Sequence, residues 1–143
     1  MFVVIEEYIQ KLSRAYDVIG VFNTEEEASF IANHKLNTDG VYQNNCGYYY
    51  NCFVEEVETN IIVSPNIKLY ILVKSGIYTG GPTRQSLTEL SSKERADFEC
   101  VIGVFHSIEE AKERFESIHD NLGFYFCIPF FTNGSYDEEV TLF

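Results

Sequence analysis

The chain has no tryptophan, one methionine, three prolines and four cysteines, and it is short of positive charge, with ten Lys and Arg against 22 Asp and Glu. Each shortage narrows the function. A formal charge of -12 repels nucleic acid and anionic membrane, which argues against direct binding to either and favours a basic partner. Cys46, Cys52, Cys100 and Cys127 lack the paired C-x-x-C spacing of a zinc site, so they are expected to be small buried hydrophobes. No apolar run approaches the length of a membrane span. Met1 to Ile9 contains Glu6 and Glu7 and no basic stretch ahead of a long apolar run, so it does not read as a signal peptide. A cytoplasmic location without a cofactor or metal is the expectation.

What the chain has in plenty is apolar and aromatic surface. Forty-five per cent of its 143 residues are hydrophobic, with 12 Phe and 10 Tyr, enough to bury a core and weighted toward strand formers. One motif occurs twice: Val18-Ile19-Gly20-Val21-Phe22-Asn23-Thr24-Glu25-Glu26-Glu27-Ala28 and Val101-Ile102-Gly103-Val104-Phe105-His106-Ser107-Ile108-Glu109-Glu110-Ala111. Both copies specify an apolar strand, a Thr or Ser helix cap, glutamates in the first helical turn and an inward alanine.

The expected architecture is α+β: two tandem ββαβ units, residues 1–63 and 67–143, joined by a Ser64-Pro65-Asn66 turn. In the first unit, Phe2–Tyr8 and Ala15–Phe22 read as strands. A helix follows from Thr24 with Ala28, Ile31, Ala32 and Leu36 facing inward. Asn37–Gly47, rich in Asn and Gly, reads as a loop. Tyr48–Glu58 reads as a strand with Asn51, Glu55 and Glu58 marking its solvent side. In the second unit, Ile67–Lys74, Phe98–Phe105 and Phe124–Phe131 are the expected strands, and Ser107–His119 the helix. Cys52 and Cys127 fall in roughly equivalent third-strand positions. The units differ in an insertion, residues 75–97, where Ser91 and Glu94 fit a capping box.

The paired motif, following a short opening strand, resembles a small uncharacterised ββαβ domain common in bacterial and phage hypothetical proteins. The resemblance covers most of both units but not the insertion, and it implies a fold with no catalytic residue to carry over. The small, acidic, Asn- and Tyr-rich composition is also similar to that of phage-encoded inhibitors of host defence, including anti-CRISPR and anti-restriction proteins. That likeness implies an inhibitor of a nuclease complex.

Candidate contact residues follow from charge and aromaticity. Glu25, Glu26 and Glu27, Glu55, Glu56 and Glu58, and Glu109 and Glu110 form acidic runs with few compensating cations, suited to a basic protein surface that ordinarily holds phosphates. Two of the runs sit at helix N-termini, where glutamate is stabilising in any case. Tyr48 and Tyr50 supply stiff, amphipathic contact area. The alternative is a pocket for a signalling nucleotide at Tyr78, Gly80, Gly81 and Arg84. Paired glycine amides would cradle an anion there and Arg84 would fork onto a phosphate. No Walker sequence supports that pocket, and a Gly-Gly-Pro turn explains the same residues. His34, His106 and His119 are scattered, and Ser107 beside His106 is not a triad, so no enzyme is expected. A homodimer and a purely structural interaction module stay open.

Overall fold

The computed structural model describes residues 1–10, 13–76, 101–118, 123–135 and 138–143. Its elements are β1 (Phe2–Gln10), β2 (Ser13–Phe22), α1 (Glu25–Lys35), a π-helical turn (Leu36–Gly40), α2 (Val41–Asn45), β3 (Tyr49–Glu56), β4 (Lys68–Gly76), β5 (Val101–Phe105), α3 (Ile108–Ile118), β6 (Gly123–Phe131) and β7 (Thr141–Leu142). The chain is α+β. The strands form two antiparallel sheets, ordered β2-β1-β3 and β5-β4-β6-β7. The short β7, which sequence periodicity does not reveal, adds to β6 by pairing Leu142 with Phe126 and Thr141 with Cys127.

Strand alternation builds the layers. On β1, Val3 and Ile5 turn toward the second sheet and pack in one cluster with Leu69, Ile71 and Val73 of β4 and Val101 and Val104 of β5. Val4 turns the other way, into a cluster with Ala28 and Ala32 of α1 and Tyr50 and Cys52 of β3. Ala111 of α3 is fully buried, and Phe115 stacks edge-on against Tyr125 of β6. The order of layers is therefore helix, sheet, sheet, helix, with the largest apolar core between the sheets.

The repeated motif has a packing explanation. Gly20 lies opposite Val4 and Gly103 opposite Leu72, and in both sheets the register slips at the next residue. A Cβ on Gly20 would stand 2.5 Å from the Phe22 ring, and one on Gly103 2.7 Å from the Phe105 ring. Glycine two residues before phenylalanine thus leaves room for the ring to fold back along the strand. Both helices begin as the sequence implies. Thr24 accepts a hydrogen bond from the Glu27 amide at 3.4 Å. Ser107 accepts one from the Glu110 amide at 3.2 Å, and the Glu110 carboxylate reaches back past the cap to accept the His106 amide at 3.1 Å, a variant of the capping box in which the return bond goes to the residue before the cap.

Three expectations are corrected. The segment Asn37–Gly47 is not a loop: backbone angles stay helical from Lys35 through Gly40 and Val41, and the chain leaves the helix only at Gly47. The Tyr48 amide donates to the Gln43 carbonyl at 3.0 Å, the Gly47 amide donates to Asn44 at 3.1 Å, and Gly47 has φ 83°. These are the bonds of a glycine-terminated helix. Cys52 and Cys127 do not correspond, because Cys52 pairs with Glu6 whereas Cys127 pairs with Leu72, the partner of the motif glycine. By that register Val54, opposite Val4, matches Cys127. Finally, Cys46 is exposed, unlike the buried Cys52 and Cys127.

Candidate interaction surface

The structure separates the acidic runs. Glu25, Glu26 and Glu27 are exposed in the first turn of α1, and Glu109 and Glu110 are exposed in the first turn of α3. The two helices cover opposite outer faces, with two sheets between them, so these runs do not form one surface. Glu56 and Glu58 are also exposed and line a polar hollow of about 560 Å³ with Met1, Val57 and Thr59. The described ion pairs join Lys35 to Glu6 and Asp39, and Lys68 to Glu138. None of them uses a glutamate of the exposed runs.

Two candidate contact residues are corrected. Glu55 is not on a solvent face: it is half-buried, and its carboxylate accepts the Val101 amide of β5 at 2.8 Å, which ties the two sheets together. Asn51, on the same side of β3, is half-buried too. Tyr50 is 4% exposed, so it has no ring to offer a partner, whereas Tyr48 is 41% exposed. The reason is alternation around a strand covered on both faces, which sequence cannot distinguish from a strand with one wet side. Tyr78, Gly80, Gly81 and Arg84, with most of the insertion, Cys100 and His119, lie outside the described residues.

Under α1 sits a polar cluster that charge counting overlooks. Glu6 and Glu7 are each only 5% exposed, and as neighbours on β1 they face opposite sides of the sheet. The Tyr50 hydroxyl donates to Glu6 Oε2 at 2.8 Å, and Lys35 Nζ stands 3.4 Å from the same oxygen. Lys35 also donates to Asp39 Oδ2 at 2.6 Å. Tyr8 meets the Tyr50 ring edge-on at 5.1 Å between centroids. Burial, reinforced by a hydrogen bond to Glu6, pushes the Tyr8 phenol up to about 12. The Tyr50 phenol is pushed up more strongly for the same reasons. Asp17, opposite Glu6 on β2, is raised by burial, and Lys35 is raised chiefly by its bond to Asp39. Two acids inside an otherwise apolar strand, Phe2–Tyr8, are the sequence signal that could have revealed this cluster.

The cluster holds the helical extension in place. Lys35 ends α1, Asp39 belongs to the π-helical turn, and Gly40 is buried against Tyr50, where a Cβ would approach the ring to 3.1 Å. The Thr38 hydroxyl donates to the His34 carbonyl at 2.8 Å. Residues Glu25 to Asn45 therefore form one helical rod, with Ala28, Ala32 and Gly40 on its buried side. Phe30 is 71% exposed, Tyr42 67% and Val41 52%.

The buried thiols give a pH dependence. Burial pushes Cys52 and Cys127 up to about 11 from an ordinary 9.0. The folded state keeps these protons to higher pH than the unfolded state does, so their contribution is complete below pH 9 and disappears as pH rises through 11. The free energy of unfolding from urea titrations at pH 8 to 11 should fall steadily, by roughly 2 kcal/mol per thiol at the alkaline end. Cys52→Ala with Cys127→Ala should flatten the first part of that decline and leave the tyrosine-driven part above pH 10.

Among the described residues no three His, Cys, Asp or Glu side chains are arranged to hold a metal ion, and no described helix is long and apolar enough to cross a membrane. No family model, curated protein or solved structure matches the chain.

Proposed function

We propose that this chain is a non-enzymatic acidic interaction protein that occupies a basic surface on a nucleic-acid-handling complex, in the manner of anti-CRISPR or anti-restriction inhibitors encoded by phages and mobile elements. The observation that carries this reading is the set of exposed carboxylates, Glu25 to Glu27 above all, that take part in none of the described ion pairs of a chain with formal charge -12. An ordinary surface intersperses both signs. Unpaired carboxylates raise the rate of encounter with a positive surface and suppress encounter with nucleic acid itself.

The test is inhibition and binding against purified CRISPR and restriction nuclease complexes at several salt concentrations. Glu25→Lys, Glu26→Lys and Glu27→Lys together should weaken binding on the order of tenfold at low salt and reduce its salt dependence. Unchanged affinity in the triple variant would remove the electrostatic mechanism. Tight calorimetric binding of a cyclic nucleotide would favour a ligand sponge instead.

A further inference from the structure

We infer that the outer face of the α1 to α2 rod is the docking surface, and that its partner presents an apolar patch rimmed by lysine and arginine. This rests on the basic-partner reading and adds to it a place and an apolar component. The second unit supplies the control. Counted from the motif glycines Gly20 and Gly103, Phe30 on α1 corresponds to Glu113 on α3, and both are exposed. A position that solvates a charge in one unit carries a large bare ring in the other, so the fold itself does not call for phenylalanine there.

The connection after each helix differs as well. The second unit passes from Ile118 to Gly123 through residues 119–122, whereas the first spends Leu36 to Tyr48 on the same passage. That extra chain is built with care: the Lys35 to Asp39 ion pair, the Gly40 to Tyr50 contact and the Gly47 helix end all fix it. Yet it buries little of its own surface, and α2 contains no buried residue. What it presents is Val41 and Tyr42, with Tyr48 just beyond. Phe30 and Val41 lie about 16 Å apart along the rod at 1.5 Å per residue. On α3 the exposed positions are Glu109, Glu110, Lys112, Glu113, Arg114, Glu116 and Ser117, a polar face of both signs beyond its first turn with no large apolar member.

Aromatic anchors flanked by charge are what a protein interface concentrates. The flanking charge decides the partner's sign. Glu25, Glu26 and Glu27 occupy the N-terminal end of the rod, and none enters a described ion pair. A second copy of the chain would bring the same negative ends into the contact, whereas a Lys- and Arg-rimmed patch complements them.

The experiment titrates the full chain with two probes: a synthetic amphipathic helix of leucine and lysine, and poly-lysine as its charge-only counterpart. Backbone amide shifts locate binding and anisotropy measures affinity. The leucine-lysine helix should shift Glu25 to Phe30 and Val41 to Tyr48. Phe30→Gln with Tyr42→Ser should weaken it at least about tenfold, with poly-lysine unaffected and the thermal midpoint unchanged. Equal binding of both probes, indifferent to the double variant, would overturn this surface and leave the basic-partner reading standing. Shifts centred on α3 would do the same. Failure of both probes to bind would overturn both. A concentration-dependent dimer that the double variant abolishes, and that the helix does not compete with, would assign the face to a second copy and overturn the basic partner there.

Discussion

Glu6→Ala is expected to lower the free energy of unfolding by about 3 kcal/mol, because the carboxylate is the common acceptor of a buried network. Removing it leaves the Tyr50 hydroxyl, on a side chain 4% exposed, without the partner it has at 2.8 Å. It also frees Lys35 to pair with Asp39 alone. Tyr50→Phe is the gentler probe. It deletes one hydrogen bond to a charged acceptor while Lys35 stays within 3.4 Å of Glu6, so a loss of roughly 1.5–3 kcal/mol is expected. Because both substitutions act on one network, the double variant should lose clearly less than the two single losses combined. Urea unfolding of the three variants measures this directly. Hydrogen exchange should show where the loosening goes: the amides of Leu36 to Asn45 should exchange faster, since Asp39 and Gly40 anchor that segment to Lys35 and Tyr50. Additive losses with no change in the extension would mean that the cluster merely fills space.

The sequence is most legible where local chemistry and tertiary packing agree. The Gly-x-Phe spacing, the Thr24 and Ser107 caps and the inward Ala28 and Ala111 are each satisfied by neighbours in the chain or by the adjoining strand. The Asn37–Gly47 segment is misleading for a physical reason. Asn, Thr and Gly have weak helix propensity, but α1 supplies the nucleus, the Lys35 to Asp39 pair bridges the weak turn, and Gly47 ends the helix where a loop glycine had been expected. An acid inside the apolar β1 hints at the polar cluster, but its membership is illegible for a different reason. Glu6, Lys35, Asp39 and Tyr50 come from three distant stretches of chain, and nothing in their local spacing says they will meet. Glu55 is similar: its role appears only once β5 is placed opposite. As for the candidate surface, the exposure of Glu25 to Glu27 is foreseeable from helix periodicity. The exposure of Phe30 is visible only by setting it beside Glu113.

The two sheets should unfold as one unit, and Ile71→Ala tests this with the largest single loss expected here. Ile71 on β4 and Ile5 on β1 are both 0% exposed and belong to one apolar cluster that also contains Val21 of β2 and Val104 of β5. Truncating either isoleucine removes buried methyl and methylene groups and leaves a cavity, at a cost of about 3–4 kcal/mol. For a chain of this size that is a large share of a total near 5–15 kcal/mol. The discriminating quantity is the shape of the calorimetric transition. Were the sheets independent lobes, Ile71→Ala would lower the melting of β4, β5 and β6 and leave that of β1, β2 and β3 in place, splitting the transition in two. The shared cluster, together with the Glu55 bond to the Val101 amide across the sheets, predicts the opposite. Ile5→Ala and Ile71→Ala should each shift a single peak to lower temperature by similar amounts, with the calorimetric and van't Hoff enthalpies still equal. The Glu55→Gln variant refines the point, since it keeps the side chain's shape and an acceptor oxygen but removes the charge that strengthens the bond to β5. A single, slightly lowered peak in that variant is expected. A peak that divides would show that the carboxylate, and not the apolar cluster, couples the two halves.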